Sequence, residues 1–110
     1  GRRRGLERRM NRGEIWWAHV GNKRRPVLIV TRTEVIDVRS LVTVAEISTT
    51  SRGLAAEIEL EDTVGLDRPS VVNCDGLHTI EQRVLTGRVG LVDVPVMDQV
   101  CEAIGYALGC

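Results

Sequence analysis

The chain has 110 residues, 43% of them hydrophobic and 3% aromatic, and its 15 basic and 15 acidic side chains cancel to a net charge of zero. That length suits one domain that buries a core without metal or disulfide support, and the apolar content argues against disorder. No apolar run approaches the roughly 18 residues of a membrane span, and no apolar h-region follows the basic N-terminus as a secretory signal requires.

Residues 1–9, "GRRRGLERR", carry five Arg and one Glu and precede Met10. They read as an expression remnant or a disordered leader, which leaves 10–110 as the domain. "GEIWWAHV" (13–20) is rich in aromatic and β-branched residues and predicts a strand. Trp16 and Trp17 then point to opposite faces, one toward the core and the other available to stack a base or to bury at an interface between chains, the second being favoured in so aromatic-poor a sequence. "PVLIVTR" (26–32) barely alternates, which predicts a strand buried on both faces, with Pro26 at its tolerated first position. "TEVIDVR" (33–39) is polar enough for a connection. "SLVTVAEIS" (40–48) predicts a third strand, with Leu41, Thr43, Ala45 and Ile47 on one face and Val42, Val44, Glu46 and Ser48 on the other. "LAAEIELE" (54–61) alternates apolar residues with Glu57, Glu59 and Glu61, the pattern of a strand with one solvated face. "SVVNC" (70–74) and "LHTIE" (77–81) predict two short strands, "QRVL" one helical turn, and "GRVGLVD" (87–93) a last strand. The period then changes to helical, with Met97, Val100, Cys101, Ile104 and Leu108 as the apolar stripe. Short strands followed by a closing helix predict a mainly-β fold: a small, highly curved sheet or barrel with a C-terminal helix.

The neutral total hides an imbalance. Residues 10–52 carry seven basic and four acidic groups, a net of +3, and residues 53–110 three basic and ten acidic, a net of −7. An anionic ligand is steered to the first half, whereas a general polyanion binder would be basic throughout. Cys74, Cys101 and Cys110 are an odd, scattered set without a CxxC pair, which argues against a disulfide framework or zinc site and fits a reducing cytoplasm.

No Gly-rich phosphate loop, HExxH or GxSxG stands in the sequence, and the carboxylates lack metal-ligand spacing. His19 and His78 can form an acid–base pair only if the fold joins them. What remains is Arg25 at the start of one strand and Ser48-Thr49-Thr50 at the end of another. If those strands are antiparallel neighbours, a guanidinium fork meets hydroxyls across a few ångströms. That device suits a phosphate whose adjacent 2′-hydroxyl is the nucleophile. The plainer reading is a solvated charge and a turn.

"RGEIWWA", "RPVLIVTR", "VAEIS" and "LHTIEQRVL" resemble, in order and spacing, the MazF/PemK family of toxins from bacterial toxin–antitoxin pairs. The resemblance implies an SH3-like small β-barrel of the CcdB/PemK type with a C-terminal helix, and a homodimer. It also implies a metal-independent endoribonuclease that needs no cofactor. Such an enzyme cuts single-stranded RNA at short sequences, leaving a 2′,3′-cyclic phosphate and a 5′-hydroxyl. A cognate MazE-like antitoxin would block the site with an extended acidic segment. The family's catalytic arginine falls on Arg25 and its threonine on Ser48, with Thr49 next along; its "RTID"-like segment falls on 78–81. RNA contacts are then expected from Lys23, Arg24, His19, His78 and Thr79. Two departures stand out. The loop before Arg25, "AHVGNK", is short and basic where the family carries an acidic residue, whose place His19 could take. Serine replaces threonine at 48. A non-catalytic RNA-binding barrel and a gyrase-poisoning toxin of the CcdB type are the alternatives. The CcdB type ends its helix in an aromatic-containing tail, whereas this sequence ends "ALGC".

Overall fold

A computed structural model describes residues 9–20, 22–61 and 65–109. The leader expected over residues 1–9 lies outside them except for Arg9, whose guanidinium reaches Asp37 Oδ2 at 3.3 Å. The strands are β1 (Glu14–Val20), β2 (Lys23–Ile29), β3 (Leu41–Ser48), β4 (Glu57–Leu60), β5 (Ser70–Glu81) and β6 (Leu85–Leu91). A short helix α1 (Thr33–Ile36) links β2 to β3, and helix α2 (Val94–Ala107) closes the chain. The strands form one sheet in the order β4-β5-β3-β2-β1-β6, and every pairing is antiparallel. This is a mainly-β sheet with a C-terminal helix. It is not a hydrogen-bonded closed barrel among the described residues, since β4 and β6 are its two edges. The β4–β5 connection reaches the far edge instead. Gly65, at φ +96°, comes so close to β6 that a Cβ there would stand 2.5 Å from the Val89 carbonyl oxygen.

The non-alternating run in β2 has the cause its sequence implies: both sheet faces are covered. Leu28 packs with Ile15, Ala45, Ile47 and Val72 under Val100 and Ala103 of α2. Val27 and Ile29 pack with Trp16, Ala18, Val42 and Val44 on the opposite face, closed by Met10, Ile36 and Leu85. Full burial of one such side chain is worth about 1.5–3 kcal/mol. Asp93 caps α2, its Oδ1 accepting from Val96 N at 3.0 Å, with Pro95 in the first turn. The helix stripe is corrected in part. Val100 is buried and Met97 and Ile104 are half-buried, but Cys101 and Leu108 are exposed, and Ala103 takes a buried place.

Three further expectations are corrected. β2 begins at Lys23 rather than Pro26. Residues 23–26 pair only with β1, and the β3 ladder starts at Val27, so Pro26 stands where no bond to β3 would need its missing N–H. The connection expected over 33–39 is not wholly irregular, since Thr33–Ile36 form a short helix. The segments 70–74 and 77–81 are one strand, interrupted by a bulge: the register jumps from Ala45↔Leu77 to Glu46↔Asn73. The turn expected at "QRVL" is a 3₁₀ turn over Gln82–Val84.

The "RGEIWW" stretch owes its conformation to a buried carboxylate. Gly13 adopts φ +91°, and a Cβ there would lie 3.4 Å from Met97 Cγ. Glu14 follows, 6% exposed. Its Oε1 accepts from Asn11 N at 2.8 Å and from Trp16 Nε1 at 3.1 Å, and its Oε2 accepts from Arg88 Nε at 2.8 Å. Trp16 is therefore the core tryptophan; Trp17 is half-buried on the other face.

Candidate functional site

The β1–β2 hairpin pairs from Ile15↔Leu28 to Val20↔Lys23, which sets which of the three cations face together. Alternation sends Lys23 and Arg25 to the face that carries Ala18 and Val27, and Arg24 to the other. On that other face the Arg24 guanidinium lies over the Trp17 ring, 4.2 Å from its centroid. His19 is exposed and paired with Arg24. The cations thus divide: two line a groove, and one stacks on an indole.

That groove, about 590 Å³, is floored by Ala18, Val27, Val44 and Ile80 and edged by Lys23, Arg25, Glu46, His78 and Thr79. The sheet register explains the grouping. Val27 pairs with Glu46 and Val44 pairs with His78, so Arg25 and His78 are the diagonal neighbours of Glu46 on its two sides. Diagonal neighbours on one sheet face stand about 7–8 Å apart, within reach of long side chains. His78 Nε2 is hydrogen-bonded to Glu46 Oε2. Thr79 shares a hydroxyl contact with Thr43 at 3.0 Å.

The supposition that β2 and β3 are antiparallel neighbours holds. Carrying their register two residues past its last pair sets Arg25 opposite Ser48. Ser48 follows Glu46 on the same face of β3, and its Oγ accepts from Thr50 N at 3.0 Å. Thr49 turns away and lines a separate cleft with Trp17, Pro26, Arg68 and Ser70. The sheet brings together Arg25, Lys23, His78 and Thr79 along one groove, and Ser48 is not among the residues that line it. It does not bring His19 to His78: they lie on β1 and β5, with β2 and β3 between them, and the register also offsets them by five residues along the strands, His19 being level with Arg24 and His78 with Ile29. Glu46 is the member of the groove to which sequence reasoning gave no role. Its signal was present, as the only charged residue in "LVTVAEIS" and on the face shared with Val42 and Val44.

The loop after Ser48 is held by Glu57, expected from sequence to be a solvated strand residue. Its Oε1 accepts from Arg52 N at 2.9 Å and Leu54 N at 3.1 Å, and Ser51 Oγ donates to it at 3.3 Å. Slight burial acts to raise the Glu57 pKa, but the donors from Leu54, Arg52 and Ser51 outweigh it and hold the carboxyl below 4.5. The latch is therefore made above the ordinary glutamate range and lost as pH falls through the lowered value. Glu57→Ala is expected to speed hydrogen exchange at the Arg52 and Leu54 amides at neutral pH. Unchanged exchange there would mean that the carboxylate does not order the loop.

Burial first, and then the negative charge of Asp75, push the Cys74 thiol up to about 11, so this sulfur stays protonated and is a poor nucleophile. No group of three His, Cys, Asp or Glu side chains able to hold a metal ion occurs among the described residues. No helix among them is long and apolar enough to cross a membrane.

The sequence model of PemK-like, MazF-like toxins of type II toxin–antitoxin systems matches residues 11–108. Endoribonuclease MazF3 of Mycobacterium tuberculosis is 44% identical over 86 residues, which cover 78% of this chain and 84% of that protein. The solved structure of the Mycobacterium tuberculosis toxin MazF-mt6 superposes with a TM-score of 0.82 at 42% identity, covering 87% of this chain and 96% of that one. An endoribonuclease from a Mycobacterial species, solved in complex with its cognate antitoxin, shares the fold with a TM-score of 0.84 at 24% identity, over 91% and 95% of the two chains. The chain described here belongs to the PemK-like, MazF-like toxin family of type II toxin–antitoxin systems.

Proposed function

We propose that this protein is an endoribonuclease toxin that cuts single-stranded RNA at short sequences and is neutralised by a cognate MazE-like antitoxin. The observation that carries the reading is the cationic groove holding Lys23 and Arg25, in a chain 44% identical to an endoribonuclease. Arg25 grips the scissile phosphate: its planar fork offers two parallel donors to the oxygens on which charge grows as phosphorus becomes pentacovalent. The adjacent 2′-hydroxyl attacks, and the products are a 2′,3′-cyclic phosphate and a 5′-hydroxyl. Lys23 attracts the RNA backbone, and Ser48 supplies a hydroxyl to a second phosphate oxygen. His19, Arg24 and Thr79 touch the RNA that flanks the groove. The curled sheet is read as an SH3-like barrel of the CcdB/PemK type, left open at one seam, and the working unit as a homodimer in the cytoplasm. An acidic extended segment of the antitoxin competes with RNA for Lys23 and Arg25.

Incubation with a mixed RNA pool, followed by mapping of 5′-hydroxyl ends, is expected to return one short motif. A pool left intact by the folded protein would defeat the reading. Cleavage is expected to persist in excess chelator, because the nucleophile is internal to the substrate and the charge is met by a guanidinium. Activity lost in chelator and restored by magnesium or manganese would require a different mechanism. Ser48→Ala is expected to lower the rate moderately and Ser48→Thr to keep or raise it. If Thr49→Ala damages cleavage and Ser48→Ala does not, the hydroxyl belongs to Thr49.

A further inference from the structure

We infer that Glu46 and His78 form the proton-accepting pair of this site: His78 is the general base for the 2′-hydroxyl, and Glu46 is the residue that positions it. The inference rests on the ribonuclease reading above.

Three observations carry it. First, the pair lies in the groove of Arg25, and the register sets Glu46 between the two strands that supply Arg25 and His78. Arg25 and His78 stand on opposite diagonals of Glu46, so their backbones are about 15 Å apart, and a phosphate held at the end of the long Arg25 side chain lies in the groove that His78 also lines. Second, the contact involves one ring nitrogen. Glu46 Oε2 bonds to Nε2, and Nδ1 has no protein partner among the described residues. A carboxylate accepts and cannot donate, so Nε2 carries the proton and Nδ1 presents its lone pair. The same carboxylate stabilises the imidazolium once Nδ1 has taken a proton. Third, the carboxylate has a prepared seat. The β5 bulge brings Gly76 against it, where a Cβ would stand 3.1 Å from both Glu46 Oε2 and Asn73 Nδ2. Bulges next to reactive groups serve to re-aim side chains. The bland alternative, an ion pair that only braces two strands, gains little here: the two side chains are 54% and 44% exposed, and such pairs contribute at most about 1 kcal/mol.

Nδ1 takes the proton of the 2′-hydroxyl as its oxygen bonds to phosphorus. The phosphorus–5′-oxygen bond breaks with its electron pair on the 5′-oxygen, which takes a proton from water. The imidazolium then returns its proton to water.

The test compares wild type, His78→Ala and Glu46→Ala on RNA carrying the mapped motif, and on the same RNA with sulfur in place of the scissile 5′-oxygen. Sulfur leaves without needing a proton, so it suppresses defects in an acid but not in a base. His78→Ala is expected to lower kcat about 10²–10⁴-fold on both substrates, with partial recovery on adding imidazole. Glu46→Ala is expected to lower kcat less, with KM held. Its ¹⁵N-histidine spectrum should also show His78 moving from the Nε2–H tautomer to a mixture. A His78→Ala protein that cuts at the wild-type kcat, or whose loss lies in KM alone, overturns the assignment. A loss that vanishes on the sulfur substrate makes His78 an acid and overturns its role as base. An unchanged His78 tautomer in Glu46→Ala removes the positioning role of Glu46. Failure of the ribonuclease reading is distinct: there the wild type itself cuts neither RNA, and this assignment falls with it.

Discussion

Replacing Arg25 by alanine is expected to lower RNA cleavage about 10²–10³-fold, the usual loss when one preorganised donor to a developing oxyanion is removed. The side chain is exposed and lines the groove, and its backbone is held by pairing with Ala18. Removal therefore takes away donors without opening a cavity in the core. Far-ultraviolet circular dichroism and the denaturation midpoint should stay at wild-type values. Arg25→Lys is expected to fail substantially as well. An ammonium keeps the charge but offers a compact point in place of the fork, so two phosphate oxygens are no longer met together. The loss should appear at saturating RNA, because the charge it meets is largest in the transition state. A folded Arg25→Ala protein that cuts RNA at the wild-type rate would remove the phosphate clamp from the mechanism.

The largest expected effect on stability comes from Glu14→Ala, about 2–4 kcal/mol of unfolding free energy. The substitution strands the Trp16 indole N–H and the Asn11 amide without an acceptor and leaves Arg88 without its carboxylate. Urea unfolding should show the loss as a lowered midpoint with little change in slope. The pH dependence follows from the same contacts. Burial acts to raise the Glu14 pKa, but the hydrogen bonds from Asn11, Trp16 and Arg88 outweigh it and hold the folded value below the ordinary 4.5. A lowered folded pKa stabilises the fold above the unfolded value, and that stabilisation is lost as pH falls through the folded one. The gap between wild type and Glu14→Ala should thus be full at neutral pH and narrow below pH 4.5. A gap that stays constant on acidification would mean that Glu14 acts through packing alone.

The sequence by itself determined the element types where periodicity was strong. The two-sided burial of β2 was legible in "PVLIV", because a strand with no polar face has no solvent to turn to. The C-terminal helix was legible in a 3.6 period closed by Pro95 and Gly109. Arg25 was legible as a candidate from three cations set against an apolar run, and the family from four short stretches in order. Tertiary structure alone decided how the functional side chains group. Whether Lys23, Arg24 and Arg25 act together depends on strand alternation, which turns Arg24 onto Trp17 and leaves the other two in the groove. Whether His78 has a carboxylate depends on the register of β3 against β5, and that register shifts at a bulge that the sequence presented as a gap between two strands. Glu14 needs Arg88, 74 residues away along the chain, to complete its bonds. Local sequence carries the periodicity that makes an element. Contacts across strands depend on register, and register is set by the whole sheet closing over its two cores.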